Sequence, residues 1–406
     1  MKQTARIIAT YSADTFGVCS ALFELGGMVV MHDASGCNST YTTHDEPRWY
    51  DMDSMVYISA LSEMEAIMGD DEKLIEDIAQ AAKELQPRFI AVAGTPIPTM
   101  TGFDFTAVAE LIEERTGIPA FGFATTGMNT YVMGASMALE GIARRFVKRN
   151  VDKTAHLSAN ILGVTPLDFS VNGSDESMKM FLEKSGFEVI SCWAMGSTLE
   201  EMAEAGRASV NLVVSATGLE AAKTLQELFG TPYVVGKPIG ITYRKALMKA
   251  LVETAASKEW TKPGENTKAC AQSTIISDLP TCEIAVIGEG ITSLSLAQAI
   301  ELEYGTGVKV LCATECDKGF LREKDVLVSC EDDITDELRD VKIVIADPLY
   351  RPICPAGTAF ISLPAENFSG RIYRSHIPNL IAEFEPWKKC IYQEAEDVDS
   401  GNVICK

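Results

Sequence analysis

The sequence predicts an α/β protein of three Rossmann-like domains, with parallel sheets flanked by helices and a cleft between the domains. Three observations predict it. Short apolar runs alternate with helical patterns along most of the chain, which is the pattern of βαβ units. The 406 residues exceed what one hydrophobic core serves, since a domain takes roughly 100 to 200. A composition of 47% hydrophobic and 23% charged residues gives ample material for cores.

The elements follow in order. Met28-Val29-Val30-Met31 predicts a buried strand. Residues 70–85 predict a helix, with Leu74, Ile75, Ile78, Ala81, Ala82 and Leu85 close to the i, i+3, i+4, i+7 template. Asp70, Asp71 and Glu72 fall in its first turn, where they complement the helix dipole. A strand over 88–94, a helix over 105–115 stopped by Gly117, and a strand over 118–123 complete a first domain at residues 1–155. The second, 156–262, has strands at 159–164, 187–192, 210–215 and 233–235. Its helices begin at Ser174 or Asp175 and at Glu220, and a long one runs from Tyr243 to about Ser257. The polar run Thr261 to Lys268 reads as a connection. A third domain, 263–406, has strands at 283–288, 308–312 and 341–346 and a helix over 294–304. Pro378, Pro386 and Trp387 suggest a C-terminal tail that folds back.

The formal net charge of −22 disfavours nucleic acid or an anionic membrane as partner, because both are bound by neutralising phosphates. The opening eight residues run into Ser12 and Asp14 with no small-residue cleavage site. No window approaches the roughly 20 apolar residues of a membrane span. The expected location is the cytoplasm. Eleven cysteines, an odd number, then read as reduced thiols. Cys192 and Cys312, inside apolar runs, read as core residues.

Open α/β sheets place ligands beyond the carboxyl ends of their strands. The turn His32-Asp33-Ala34-Ser35-Gly36-Cys37-Asn38 puts a thiol there, directly behind a buried strand, which makes Cys37 the first candidate for chemistry. Gly94-Thr95-Pro96-Ile97-Pro98, Thr125-Thr126-Gly127, Ser215-Ala216-Thr217-Gly218 and Gly288-Glu289-Gly290 occupy the same position in other units. The last resembles a dinucleotide fingerprint, but Ser293 replaces the third glycine and no acidic residue is clearly placed downstream; it reads as a tight strand-to-helix turn. Cys312 and Cys316 form C-x-x-x-C without a second close pair, which argues against structural zinc. Four histidines argue against a histidine-rich metal centre. Neither a Walker loop nor a G-x-S-x-G elbow is present.

The order of these pieces resembles the nitrogenase component 1 superfamily, which includes molybdenum-iron protein subunits, cofactor-assembly scaffolds, and dark-operative protochlorophyllide and nickel-sirohydrochlorin reductases. His32 to Cys37 resembles the family's H-G-P-x-G-C turn, whose cysteine ligates an iron-sulfur cluster at a subunit interface. Leu61-Ser62-Glu63 and Met68 to Leu74 are similar to an acidic stretch ending in G-G-x-x-K-L. Asn160-Ile161-Leu162-Gly163, Leu228 to Tyr233 and Pro238-Ile239-Gly240 resemble second-domain segments.

Departures limit what the resemblance implies. Asp33-Ala34 stands for Gly-Pro, Thr95 for a second cluster cysteine, and Ser215 for the catalytic cofactor's cysteine. His376 is the only residue near the place of that cofactor's histidine. Thr95, Ser215 and His376 thus mark cofactor positions, and no FeMo-type cofactor is expected. Cys37 and Cys19 are the implied metal ligands, His32 an implied proton relay and Asp33 an implied oxygen ligand. One or two thiols per chain imply a [4Fe-4S] cluster shared between subunits, in a homodimer or with a related subunit. The implied function is a nitrogenase-like oxidoreductase subunit. It would take low-potential electrons from a separate ATP-dependent iron-sulfur reductase and reduce an unsaturated small molecule or tetrapyrrole. The alternatives are a non-catalytic metallocofactor or tetrapyrrole carrier, or a cluster-less partner-binding subunit.

Overall fold

The computed structural model describes residues 6, 7, 9–36, 38, 46–257 and 282–384. They form three all-parallel sheets, each with helices on its faces. Each sheet also has a switch point, where the chain turns from one side of its first strand to the other.

The first unit opens with α1 (Asp14–Leu22), β1 (Met28–Met31) and β2 (Met55–Ile58). It continues through α2 (Glu63–Met68), α3 (Asp71–Leu85), β3 (Ile90–Ala93), α4 (Pro96–Thr101), α5 (Phe105–Thr116), β4 (Ala120–Phe123) and α6 (Tyr131–Phe146). Its strand order, β2-β1-β3-β4, puts the switch point between β1 and β3. Helix α3 turns Leu74, Ile75, Ile78 and Ala82 inward, as the sequence spacing predicts, whereas Leu85, expected on the same face, is exposed at the helix end. Neither α1 nor α6 is predicted: α1 is buried almost all round and carries no amphipathic stripe, whereas α6 does have an exposed side, at Met133, Arg144 and Arg145. They cross backbone to backbone. A Cβ on Gly17 would sit 2.0 Å from the Tyr131 carbonyl oxygen, and one on Gly134 1.8 Å from that of Asp14.

The second unit runs β5 (Ser158–Val164), α7 (Pro166–Phe169), α8 (Ser174–Glu183), β6 (Glu188–Ala194), α9 (Leu199–Ala203) and β7 (Val210–Val213). It ends with α10 (Leu219–Phe229), β8 (Tyr233–Val235) and α11 (Ile241–Ala256). Its order is β6-β5-β7-β8, with the switch between β5 and β7.

The third unit has β9 (Cys282–Gly288), α12 (Gly290–Tyr304), β10 (Gly307–Cys312), β11 (Val326–Leu327), α13 (Glu331–Glu337), β12 (Ile343–Ala346), β13 (Ala359–Ser362) and α14 (Glu366–Ser369). Its order is β11-β10-β9-β12-β13, with the switch between β9 and β12. Helix α12 starts a turn earlier than its apolar pattern suggests, because Glu289 accepts hydrogen bonds from the Ile291 and Thr292 amides.

One continuous apolar core joins all three units, and separate clusters fill the second faces of the first and third sheets. Residues 377–384 return to the second unit: Asn379 donates to the Asn172 carbonyl and Ser177, and Ile381 and Phe384 enter the shared core. No helix of the described residues is long and apolar enough to cross a membrane.

Candidate functional site

The first switch point carries the turn predicted from sequence. His32 leaves β1 with its amide on the Ala93 carbonyl at 2.9 Å, and its own carbonyl accepts from Thr95 Oγ1 at 2.8 Å. Thr95 therefore latches together the loops after β1 and β3. His32 Nδ1 lies 2.9 Å from Ser59 Oγ, and its ring packs on Phe103 with centroids 4.5 Å apart. Burial lowers the His32 pKa to about 4, so the ring is neutral at pH 7. The Asp33 carboxylate accepts from Asn38 Nδ2, and the Asp33 carbonyl accepts from the Leu61 amide at 2.8 Å. Ser35 and Ala60, at the ends of this crevice, hold left-handed backbone with φ of 90° and 55°. That conformation is uncommon for residues other than glycine and concentrates at functional turns.

Cys37 lies outside the described residues. Cys19 sits on α1 with no exposed surface, inside the apolar core. Burial, reinforced by Glu46, pushes its thiol pKa well up, and a metal ligand must be the thiolate. Among the described residues there is no group of three or more histidine, cysteine or acidic side chains able to hold a metal ion.

The second switch point is a buried polar knot. Ser215, just after β7, donates to Asp168 Oδ2 at 2.6 Å, and Thr165 Oγ1 donates to the same oxygen at 2.9 Å. Tyr131 from α6 donates to Asp168 Oδ1, and Asn367 from α14 donates to the Tyr131 hydroxyl at 2.9 Å. All three units thus meet at one carboxyl. Burial and the nearby charge of Glu289 push the Asp168 pKa up to about 7, against the pull of its hydroxyl donors. Lys237, buried just beyond β8, lies with Nζ 4.0 Å from the Phe169 ring centroid. Its pKa is pushed down to about 8 by burial, partly offset by Asp168 and Glu289. Lys237 thus feels the charges of Asp168 and Glu289 without a direct bond to either among the described residues.

At the third switch point, Glu289 takes the amides of Ala216, Ile291 and Thr292 at 3.0, 3.0 and 2.8 Å. Its carboxylate sits where a dinucleotide phosphate would meet the helix N-terminus, which agrees with the tight-turn reading.

Sequence reasoning missed Asp168, Tyr131, Lys237, Asn367 and the bridging role of Glu289. Two of them were findable: Asp168 and Lys237 follow strands β5 and β8, at the same strand ends that singled out Thr95 and Ser215. His376, by contrast, is exposed in a short turn with Nδ1 3.1 Å from Ser375 Oγ. From that part of the chain it is Asn367 that reaches the knot.

A cavity of about 1090 Å³ lies between the first and third units, just above the usual range for small-molecule sites. One wall is a stack of rings: Tyr11 and Tyr350 each lie 4.7 Å from Phe368, and the two hydroxyls are 3.1 Å apart. Thr130, Glu366 and Phe368 line the cavity, while Tyr131 and Asn367, their chain neighbours, bond to Asp168.

Three parallel-sheet units meeting at the Asp168 carboxyl define a class of multidomain α/β proteins. Within it, residues 14–345 match the family model for nitrogenase component 1 type oxidoreductases, and the chain belongs to that family. It is 25% identical over 343 residues to the nitrogenase iron-molybdenum cofactor biosynthesis protein NifE of Rippkaea orientalis, covering 79% of this chain and 71% of that one. It is 26% identical over 293 residues to one subunit of the light-independent protochlorophyllide reductase of Leptolyngbya boryana, covering 64% and 57%. The match spans only 41% and 44% of two further NifE proteins, from Sinorhizobium fredii and Clostridium pasteurianum. The solved structure of nitrogenase Cp1 at pH 6.5 superimposes with a TM-score of 0.68 at 16% identity, over 100% of this chain and 96% of that one, which establishes the shared fold.

Proposed function

We propose that the chain is a cytoplasmic subunit of a nitrogenase-like oxidoreductase. It receives low-potential electrons from a separate ATP-dependent iron-sulfur reductase and serves the reduction of an unsaturated small molecule or tetrapyrrole in the cavity between its first and third units. The observation that carries this reading is a ring-walled cavity of about 1090 Å³ whose lining residues Thr130, Glu366 and Phe368 are chain neighbours of Tyr131 and Asn367, which bond at the buried Asp168 junction. The partly exposed Tyr11 ring at the end of this ring cluster offers apolar contact to a conjugated substrate. Asp168 and Lys237, with pKa values near 7 and 8, supply and accept protons at neutral pH. The hydroxyls of Tyr131, Ser215 and Thr165 orient that carboxyl.

The described residues of this chain do not by themselves fit a [4Fe-4S] cluster: Thr95 offers a hydroxyl committed to the His32 carbonyl, and Cys19 is sealed in the core. A cluster at this crevice therefore rests on Cys37 and on ligands from a second copy or a related subunit. The neutral, solvent-shielded His32 beside that turn is suited to orient a neighbouring group.

A second reading, a carrier for a metallocofactor or tetrapyrrole during its assembly, is favoured by the similarity to NifE and by the hydroxyl at Ser215 in place of a thiol. Oxygen-free protein, purified with and without the product of the neighbouring gene, tests both. Iron and acid-labile sulfide per chain, electron paramagnetic resonance, and turnover with reductase and ATP are measured. Turnover supports the enzyme, and stoichiometric cofactor release without turnover supports the carrier. Absence of iron under all conditions, with Cys37→Ala silent, overturns the redox reading.

A further inference from the structure

Two cysteines have no part in the site above, yet they are placed together. Cys312 closes β10 and is fully buried; Cys316, four residues on, is half-buried. A Cβ on Gly290 would fall 2.6 Å from Cys316 Sγ and 3.2 Å from Cys312 Sγ. Both sulfurs therefore converge on one space above the first turn of α12, and that space exists because residue 290 has no side chain. Cys312 Sγ donates to the Thr314 carbonyl at 3.5 Å and Cys316 Sγ to the Asp317 carbonyl at 3.7 Å, so both thiols bond to the loop between and beside them.

The loop they bracket touches the cavity and the first unit. Ala313 lines the cavity. Glu315 accepts from the Thr130 amide at 2.9 Å and from the Thr130 hydroxyl, at the start of α6. Thr130 also lines the cavity. A change in the spacing of the two sulfurs must re-set this loop.

We propose that Cys312 and Cys316 form a reversible intramolecular disulfide, a redox modification site that couples the thiol state to the 313–315 loop on the cavity wall. The oxidant is a low-molecular-weight disulfide. The Cys316 sulfur attacks it, giving a mixed disulfide and releasing one small thiol; the Cys312 sulfur then displaces the second. Two S–H bonds are lost, one S–S bond forms, and two electrons and two protons leave with the two small thiols. The Cys316 thiol is held protonated, its pKa raised by the neighbouring Cys312 thiol and by burial, so exchange quickens as pH rises. Exposed Cys330 serves as an internal reference.

Full-length reduced protein is equilibrated in glutathione disulfide and glutathione mixtures without oxygen, quenched in acid, alkylated in denaturant and digested with trypsin. Val310–Lys318 carries both cysteines in one peptide. The expected result is conversion of that peptide, as the mixture becomes more oxidising, to a form two hydrogens lighter with no alkyl groups. Dithiothreitol reverses it, circular dichroism is unchanged, and hydrogen exchange at the Thr130 amide changes with it. Cys316→Ser abolishes the conversion. Gly290→Ala, which fills the sulfur space, lowers the oxidised fraction several-fold at a fixed ratio. The proposal is overturned if both cysteines stay alkylated where Cys330 is fully glutathionylated, or if Cys312 pairs with another cysteine. Global unfolding on oxidation, or unchanged Thr130 exchange, also overturns it.

Discussion

Ser215 Oγ donates to Asp168 Oδ2 across 2.6 Å. This bond commits the serine to the interior of its own chain, at the position where the resemblance places the thiol of a catalytic cofactor. The knot ties together α6, α7, α14 and the loop after β7, so its protonation bears on stability as well as chemistry.

Asp168 has a folded pKa near 7, well above its ordinary value. Between about pH 4 and 7 the folded state therefore binds more protons than the unfolded state, and stability falls as pH rises through that window. Asp168→Asn should flatten this decline, removing a pH dependence on the order of a few kcal/mol. Denaturation midpoints measured from pH 4 to 8 check it, and an unchanged slope counts against the assignment.

Lys237 behaves in the opposite sense. Its folded pKa near 8 lies below the ordinary lysine value, so between about pH 8 and 10.5 the unfolded state binds more protons and stability rises with pH. Lys237→Met should remove that rise. If turnover is reconstituted, its rate should follow a bell with limbs set by Asp168 and Lys237, and each variant should erase one limb.

For His32, burial favours the neutral ring, with a folded pKa near 4. Its contribution is complete above about pH 6.5 and is lost as pH falls toward 4. His32→Gln should flatten stability across that interval, by about 3 kcal/mol at its acid end. Nuclear magnetic resonance titration of the ring provides a direct check, since a midpoint near 6.5 would contradict the burial.

The architecture was legible because its cause is local. Alternating apolar runs and amphipathic stripes such as that of α3 encode parallel strands and covering helices, and the strand-end rule led to His32, Thr95 and Ser215. Helix α1 escaped because it is buried almost all round and has no polar face to set a period; α6 escaped although one of its sides is exposed. The Asp168 knot escaped for a different reason. Tyr131, Asp168, Ser215 and Asn367 come from four separated stretches of chain, and only tertiary packing brings them within hydrogen-bonding reach. Lys237 sits at a strand end that the same rule reaches, but its burial comes only from tertiary packing.

Glu289 is the tie between the second and third units. Its carboxylate accepts three amides, including Ala216 across the junction. Glu289→Ala leaves these donors without their acceptor and should cost about 2–4 kcal/mol, whereas Glu289→Gln, which keeps an oxygen, should cost less. Because the Glu289 charge helps raise the Asp168 pKa, the glutamine variant should also shift the Asp168-dependent stability window to lower pH. Comparing pH and denaturant surfaces for the two variants separates the hydrogen bonds from the charge.

The contact between α1 and α6 makes the sharpest structural prediction. Asp14 begins α1 and accepts from the amides of Thr126 and Gly127 at 3.0 and 2.7 Å, holding the loop after β4 in the cavity wall. That hold depends on α6 approaching so closely that a Cβ on Gly134 would overlap the Asp14 carbonyl at 1.8 Å. Gly134 is the fourth residue of α6, inside the helix, where alanine is intrinsically favoured by up to about 1 kcal/mol. Propensity alone thus predicts that Gly134→Ala stabilises. The clash is with backbone, which cannot rotate aside, so the two helices must separate and expose part of the shared core. The substitution should therefore destabilise by more than about 3 kcal/mol, the range of overpacked cores. Gly141→Ala serves as control on the same helix: its nearest neighbours lie 3.4 Å or more away, on the Phe121 and Phe123 rings. It should be neutral or mildly stabilising in the same denaturation experiment, and a reversed order of the two variants would sink the packing argument.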